Sequence, residues 1–388
     1  MKKIYYEVRF SQNSPLRIGN TDSERTDSDL MLDGRGLPFI PGTSIAGVLR
    51  SMITYEDANR IFGYIEGNNC INSRIIIGDA VLPDAAVVGK YKRDGVALNE
   101  WGMVENKFDF EVAESKDNYV AIFEWSGNDE DYEKDIIGVL EPLFGEIIET
   151  GINFGAKTTR GYGFMSVQVR KKEFDFPGNY ENWLKFSPYA AGSFSDPELK
   201  GLYNKTADRI EISADISIDG NFSVSNPTSS REPIENGASP DKVPLKNFNN
   251  LPVISGASWA GSFRHHMNAL CRSMNIEEEN VNLMFGIDDA RKYIFSKSKI
   301  RFEETEISCG QEIVISRNAI DRFTSAPKNT GLFTAEVCYG GTGKLRISFN
   351  KNTLTDLQKQ LLAASLSDLQ LGLLTAGGEG GIGRGRIH

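Results

Sequence analysis

Two aspartates stand at one spacing before similar segments: Asp27 lies 11 residues before Pro38, and Asp241 lies 11 before Pro252. A loop carboxylate can take a proton from a hydroxyl or hold a divalent cation, so the pair is a candidate for acid–base or metal-assisted chemistry. Carboxylates make up 53 of 388 residues, so such a match arises by chance in roughly one case in seven. Asp22, Glu24, Asp29 and Asp33 crowd the first loop, and Glu232 and Glu235 precede the second. A solvated acidic loop therefore stays open beside the chemical reading.

Scarcity narrows the chemistry further. The only histidines are His265, His266 and His388, which disfavours a histidine metal cluster or a Ser-His-Asp hydrolase. Cys70, Cys271, Cys309 and Cys338 form no CxxC pair, and the chain opens on a polar–apolar alternation rather than a signal peptide. Reduced thiols in a cytoplasm are the expectation. No apolar run approaches the ~20 residues that cross a bilayer. GGTGK at 340–344 lacks P-loop spacing and sits between two strand-like runs, which predicts a hairpin turn.

With 43 Lys plus Arg against 53 Asp plus Glu, the net charge of −10 argues against coating nucleic acid by bulk charge. Screening confines each charge to about 8–10 Å, so a local basic groove is still allowed. Two glycine-rich loops, GAKTTRGYG at 155–163 and GGEGGIGRG at 377–385, concentrate Lys157, Arg160, Arg384 and the adjoining Arg386. Glycine lets another backbone approach closely, and the cations suit phosphate; a turn with incidental charge is the plainer alternative.

The elements that must position these residues come from a duplication. LPFIPGTSIAGVLR at 37–50 recurs as LPVISGASWAGSFR at 251–264, identical at eight of 14 positions. Ile61-Phe62-Gly63 answers Met284-Phe285-Gly286, and glycines 155, 161 and 163 answer 377, 383 and 385. Each copy opens on an alternating strand, at about 3–11 and 208–223, followed by a loop, a helix, strands with a long excursion, and a second helix at about 131–149 or 353–371. The first helix carries one apolar stripe in each copy: Ile45, Val48, Leu49 and Met52, then Trp259, Phe263, Met267 and Leu270. The order β-α-β-β-α-β is ferredoxin-like. The prediction is an α+β chain of two tandem ferredoxin-like (RRM-like) domains, 1–173 and 208–388, joined by a connector at 174–207. After Gly163 the first copy continues into FMSVQVRKKEF, a last strand, whereas only RIH follows Gly385.

The two PG-[TA]-S-type segments, RNAIDRFTSAPKNTGLFTAEV at 317–337 and the two glycine-rich loops together resemble the RAMP superfamily of CRISPR proteins. The likeness is greatest to type III backbone subunits, here fused in tandem. It implies that the excursions at about 82–108 and 303–331 are thumb-like hairpin insertions, with Val96, Leu98, Trp101 and Met103 at one tip and Ile320 and Phe323 at the other. It implies guide RNA (crRNA) and target RNA as ligands. The RNA-binding candidates are Gly42, Ser44, Arg50, Lys157 and Arg160 in the first copy, and Gly256, Ser258, Arg264, Arg317 and Arg384 in the second. A helix start with a capping hydroxyl and free N–H groups is a ready anion site, although an ordinary capped helix reads the same way. The family further implies cleavage of target RNA at two sites by Asp27 and Asp241, with Mg²⁺ or another divalent metal held there. Other RAMP subunits, a small helical subunit and a large polymerase-like subunit are the implied partners, without a membrane, in the cytoplasm. A purely architectural guide-RNA-binding subunit and a precursor-processing endoribonuclease using His265-His266 are the alternatives.

Overall fold

A computed structural model describes residues 1–19, 26, 29–67, 69–98, 104–190, 192–194, 209–226, 240–289, 294–308 and 310–388. By contact it divides into two units. One comprises 1–91, 111–158 and 162–207; the other comprises 92–110, 159–161 and 208–388. The predicted connector is thus counted with the first unit, and two short pieces of the first copy with the second.

In the first unit, β1 (Lys2–Gln12) turns Ile4, Tyr6, Val8 and Phe10 inward at every second position, which is what a strand with one buried face requires. After β1 come α1 (Gly42–Arg50), α2 (Tyr55–Phe62) and β2 (Ile75–Ile77). A hairpin of β3 (Val88–Leu98) and β4 (Val104–Ser115) leads to β5 (Tyr119–Gly127). A continuous helical stretch, 129–150, has Asn128 accepting the Asp131 N–H in a capping box, a π-helical middle over Tyr132–Leu140, and an α-helical end, α3 (Glu141–Thr150). Then follow β6 (Ile152–Asn153), β7 (Phe164–Asp175) and α4 (Tyr180–Lys185). The sheet runs β2-β5-β1-β7-β6, every neighbouring pair antiparallel, with Tyr6 opposite Phe123 and Val8 opposite Val169. This is the ferredoxin-like order with one short strand added at the edge.

The second unit repeats the plan with β8 (Arg209–Asp219), α5 (Gly256–Met274), α6 (Glu279–Phe285), β9 (Ile300–Phe302), β10 (Thr305–Ser308), the hairpin β11 (Gln311–Ile320) and β12 (Pro327–Tyr339), β13 (Thr342–Asn350), α7 (Asp356–Gln370) and β14 (Arg386–Ile387). β13 lies between β8 and the pair β9 and β10, as β5 lies between β1 and β2. Trp259, Phe263 and Met267 of α5 are fully buried against this sheet, as the apolar stripe predicts. The fold class is therefore as expected, α+β with two tandem RRM-like sheets. The copies differ at the last strand: β7 pairs along all of Lys2–Gln12, whereas β14 pairs with only Ile218 and Asp219 of β8 and forms a single bridge from Arg386 to Thr375.

Two expectations are corrected. Gly340-Gly341 make a turn but not a hairpin, because β12 belongs to a sheet with β11 while β13 belongs to the main sheet. The turn is fixed by Gly340 N–H donating to the Gly220 carbonyl and Ile218 N–H to the Gly341 carbonyl. The thiols are not all free either: Cys70 and Cys271 are, but Cys338 is disulfide-bonded. Pairing of Gln311 with Tyr339 brings the start of β11 beside Cys338, while Cys309 lies outside the described residues. Among the described residues no helix is long and apolar enough to cross a membrane.

Candidate nucleic-acid interface

The two helix starts do not look alike. In the second copy Ser255, one position before Gly256, is the cap: its hydroxyl accepts the Ser258 N–H (3.1 Å) and lies 3.0 Å from the Ser258 hydroxyl. In the first copy Pro41 occupies the cap and no side chain of the helix caps it. There the Gly42 N–H donates to the Asp79 carboxylate (2.7 Å), so an internal anion already sits at this helix start. The capping hydroxyl expected at both helix starts is thus absent from the first, and in the second it comes from Ser255. Gly42 and Gly256 are buried, and a Cβ at either would lie 2.3 Å from a strand carbonyl, that of Ile77 or of Phe302. Packing accounts for both glycines.

Arg50 and Arg264 recur for a reason visible inside each unit. Arg50 donates to the Gly63 carbonyl and to Asn59, and Arg264 donates to Asn282 (2.7 Å); each thereby ties the first helix of its copy to the second. Burial pushes the Arg264 pKa below its ordinary value. Arg160 belongs by contact to the second unit, where it donates to the Phe285 carbonyl at the end of α6 (3.2 Å). Burial, with the Arg264 charge adding to it, pushes Arg160 down to about 10, and its Nη1 is buried without a hydrogen-bond partner. Gly256, Arg160 and Arg264 thus come together, whereas Ser44 and Arg50 belong to the separate first unit.

The glycine loops superpose in their logic residue for residue. Phe154 N–H donates to Gly163 and Ala376 N–H to Gly385, both at 2.9 Å. Gly163 and Gly385 have φ of +70° and +71°, and a Cβ there would lie 1.8 and 2.0 Å from the Phe154 and Ala376 carbonyl oxygens. No other residue fits that close approach. Lys157 and Glu379 occupy the same left-handed position at φ of 57° and 65°.

Around Glu379 the structure gathers several predicted residues and two that were not foreseen. Its carboxylate accepts from Arg317 of β11 (2.7 Å) and from Lys242 (3.2 Å), and lies 2.6 Å from Arg384 Nη1. Burial works to raise the Glu379 pKa, but the hydrogen bonds of Arg317 and Lys242 and the nearby charges outweigh it and hold the carboxyl below its usual range. Arg384 is only 5% exposed, and its Nη1, although close to Glu379, has no directed hydrogen bond. Asp241 adjoins this cluster through Lys242. Its N–H donates to the Thr334 carbonyl (2.7 Å) and its Oδ2 accepts the Thr334 N–H (2.8 Å), which clamps the loop to β12. Asp241 is otherwise exposed. Asp27, the matching candidate of the first copy, lies outside the described residues, as do Glu232 and Glu235.

The hairpins carry exposed apolar ends: Val96 on β3, and Ile320 with Phe323, the latter 88% exposed, between β11 and β12. Trp101, Met103 and the Leu98 side chain lie outside the described residues. His266, raised by the processing-enzyme alternative, is held 2.7 Å from Asp368, joining α5 to α7. No group of three or more His, Cys, Asp or Glu side chains able to hold a metal occurs among the described residues.

The family described as RAMP superfamily matches residues 11–166 and, a second time, 187–388. No curated protein matches the chain.

Proposed function

This chain belongs to the RAMP superfamily, and we propose that it is a guide-RNA-binding backbone subunit of a type III CRISPR effector complex that cleaves target RNA at Asp27 and Asp241. The observation that carries the reading is the placement of Asp241. A loop carboxylate is clamped to the thumb-like hairpin by Thr334 and adjoins a cluster of Lys242, Arg317 and Arg384. Those cations suit phosphate, and the exposed Ile320 and Phe323 suit insertion between bases.

RNA brings its own nucleophile. When a wedge splays a nucleotide out of A-form, its 2′-oxygen can line up with the neighbouring phosphorus and the leaving 5′-oxygen. The 2′-O–P bond forms as the P–O5′ bond breaks; Asp241 accepts the 2′-hydroxyl proton and the 5′-oxygen takes one from solvent. The products are a 2′,3′-cyclic phosphate and a 5′-hydroxyl. A divalent cation brought with the phosphates, as Mg²⁺ commonly is, would polarise the phosphoryl oxygens, with Asp241 as one ligand at most. The remaining subunits of the assembly, other RAMP subunits, a small helical subunit and a large polymerase-like subunit, belong to this same reading.

The test is cleavage of end-labelled, guide-complementary RNA by the assembled complex carrying wild-type, Asp27→Ala or Asp241→Ala protein. Loss of one band per substitution, with the complex intact, supports two active sites. Wild-type cutting by both variants makes the chain an architectural RNA-binding subunit.

A further inference from the structure

The duplicated loops differ in charge at one structurally equivalent position. Lys157 and Glu379 share the left-handed conformation, the same place between Gly155 and Gly161 or Gly377 and Gly383, and a following 3₁₀ turn at Thr158–Arg160 or Gly380–Ile382. A second exchange accompanies the first: buried Tyr162 is answered by buried Arg384. The second loop therefore carries an anion where the first has a cation, and that anion is surrounded by Lys242, Arg317 and Arg384.

Three cations converging on two carboxylate oxygens is the arrangement a phosphodiester would also recruit, since both present paired anionic oxygens to forked donors. Arg384 gives independent support. It is nineteen-twentieths buried with one N–H lacking any directed acceptor, so Glu379 satisfies the cluster incompletely. Gly377, Gly378, Gly380 and Gly381 flank Glu379, and although Gly377 and Gly380 pack closely on the Ser223 carbonyl and the Thr375 hydroxyl, a Cβ at Gly381 would meet nothing within 4 Å, so the open side of the loop lies just after the carboxylate.

We propose that Glu379 is a built-in competitor of RNA phosphate, which occupies the cations of the second copy until RNA displaces it and makes that copy the weaker of two grips. This rests on the RNA-binding reading above. A plain counterion role for Glu379 beside buried Arg384 is the rival, and the two predict opposite results.

The experiment measures binding of a fluorescein-labelled single-stranded RNA to the full chain by anisotropy across a salt series. The proteins are wild type, Glu379→Gln, and the double exchange Glu379→Lys with Arg384→Tyr, which installs the first copy's residues. The double exchange removes the buried arginine together with its counterion, so it keeps the test alive if Glu379→Gln does not fold. Each folded variant is expected to bind several-fold tighter than wild type at low salt, with a log K against log[salt] slope steeper by about one released counterion. If wild type binds and the folded variants bind equally or more weakly, the competitor role is overturned while the RNA-binding reading stands. If none of the three binds RNA, both fall.

Discussion

Asp241 can act on RNA only if its carboxylate keeps its aim, and that aim depends on the backbone of one residue, Thr334. Glycines do comparable work in the two glycine-rich loops. Gly163 and Gly385 each combine a positive φ with a carbonyl oxygen at 2.0 Å or less from where a Cβ would stand. Gly163→Ala and Gly385→Ala should each cost more than the ~1–2 kcal/mol of left-handed strain alone, because the carbonyl must also move. Equilibrium urea unfolding measures this, and a loss under ~1 kcal/mol would show that the loops yield. Arg264→Ala should cost about 1.5–3 kcal/mol, since a charged donor to Asn282 is lost from a half-buried site; Arg264→Lys should not restore it.

Among the elements, the helical stretch 129–150 is held to the first sheet by a polar knot. Asp135 is 0% exposed and receives Arg60 (2.8 Å), Arg74 (3.1 Å) and the Trp125 indole N–H (3.2 Å). Asp135→Ala leaves the indole unpaired, while the two half-exposed arginines can rehydrate. The expected loss is therefore near the lower end of the ~3–5 kcal/mol for breaking a buried pair, read from the same urea unfolding. Such knots mark the limit of reading by pattern. The strands, the helices and the duplication were legible because alternation and the 3.6-residue stripe are local, and because Gly163 and Gly385 each recur in an identical frame. What joins Asp135 to Arg60, or Asp79 to Gly42, spans 75 or 37 positions and leaves no periodic trace. Ser255 is hard to recognise as the cap from the repeat because Pro41 stands at its place in the first copy. Glu379 stood in plain view within GGEGGIGRG, yet only the fold shows that it faces Lys242, 137 residues away.

Among the described residues two large cores are built, one around Tyr6, Phe123 and Phe144, the other around Trp259, Phe263 and Phe302, with a small third cluster of Tyr5, Phe174 and Phe194. Each large core also anchors an acidic group whose pKa the fold lowers. For Glu173, burial works to raise it, but hydrogen bonds from Lys171 and Lys2 prevail; for Glu379, burial again opposes, and Arg317 and Lys242 prevail. A carboxyl with a depressed folded-state pKa stabilises above its unfolded pKa of about 4.5, and this contribution is lost as pH falls through the lower folded value. Stability should therefore drop on the acid side from about pH 4.5 downward, with Glu173→Gln flattening that drop for the first unit and Glu379→Gln for the second. Calorimetry separates the two, because units with independent cores need not unfold as one transition. Asp135→Ala should lower the midpoint of one transition and Arg264→Ala that of the other. If both substitutions shift a single transition equally, the two cores unfold together, and an acid loss assigned to either unit belongs to the chain as a whole.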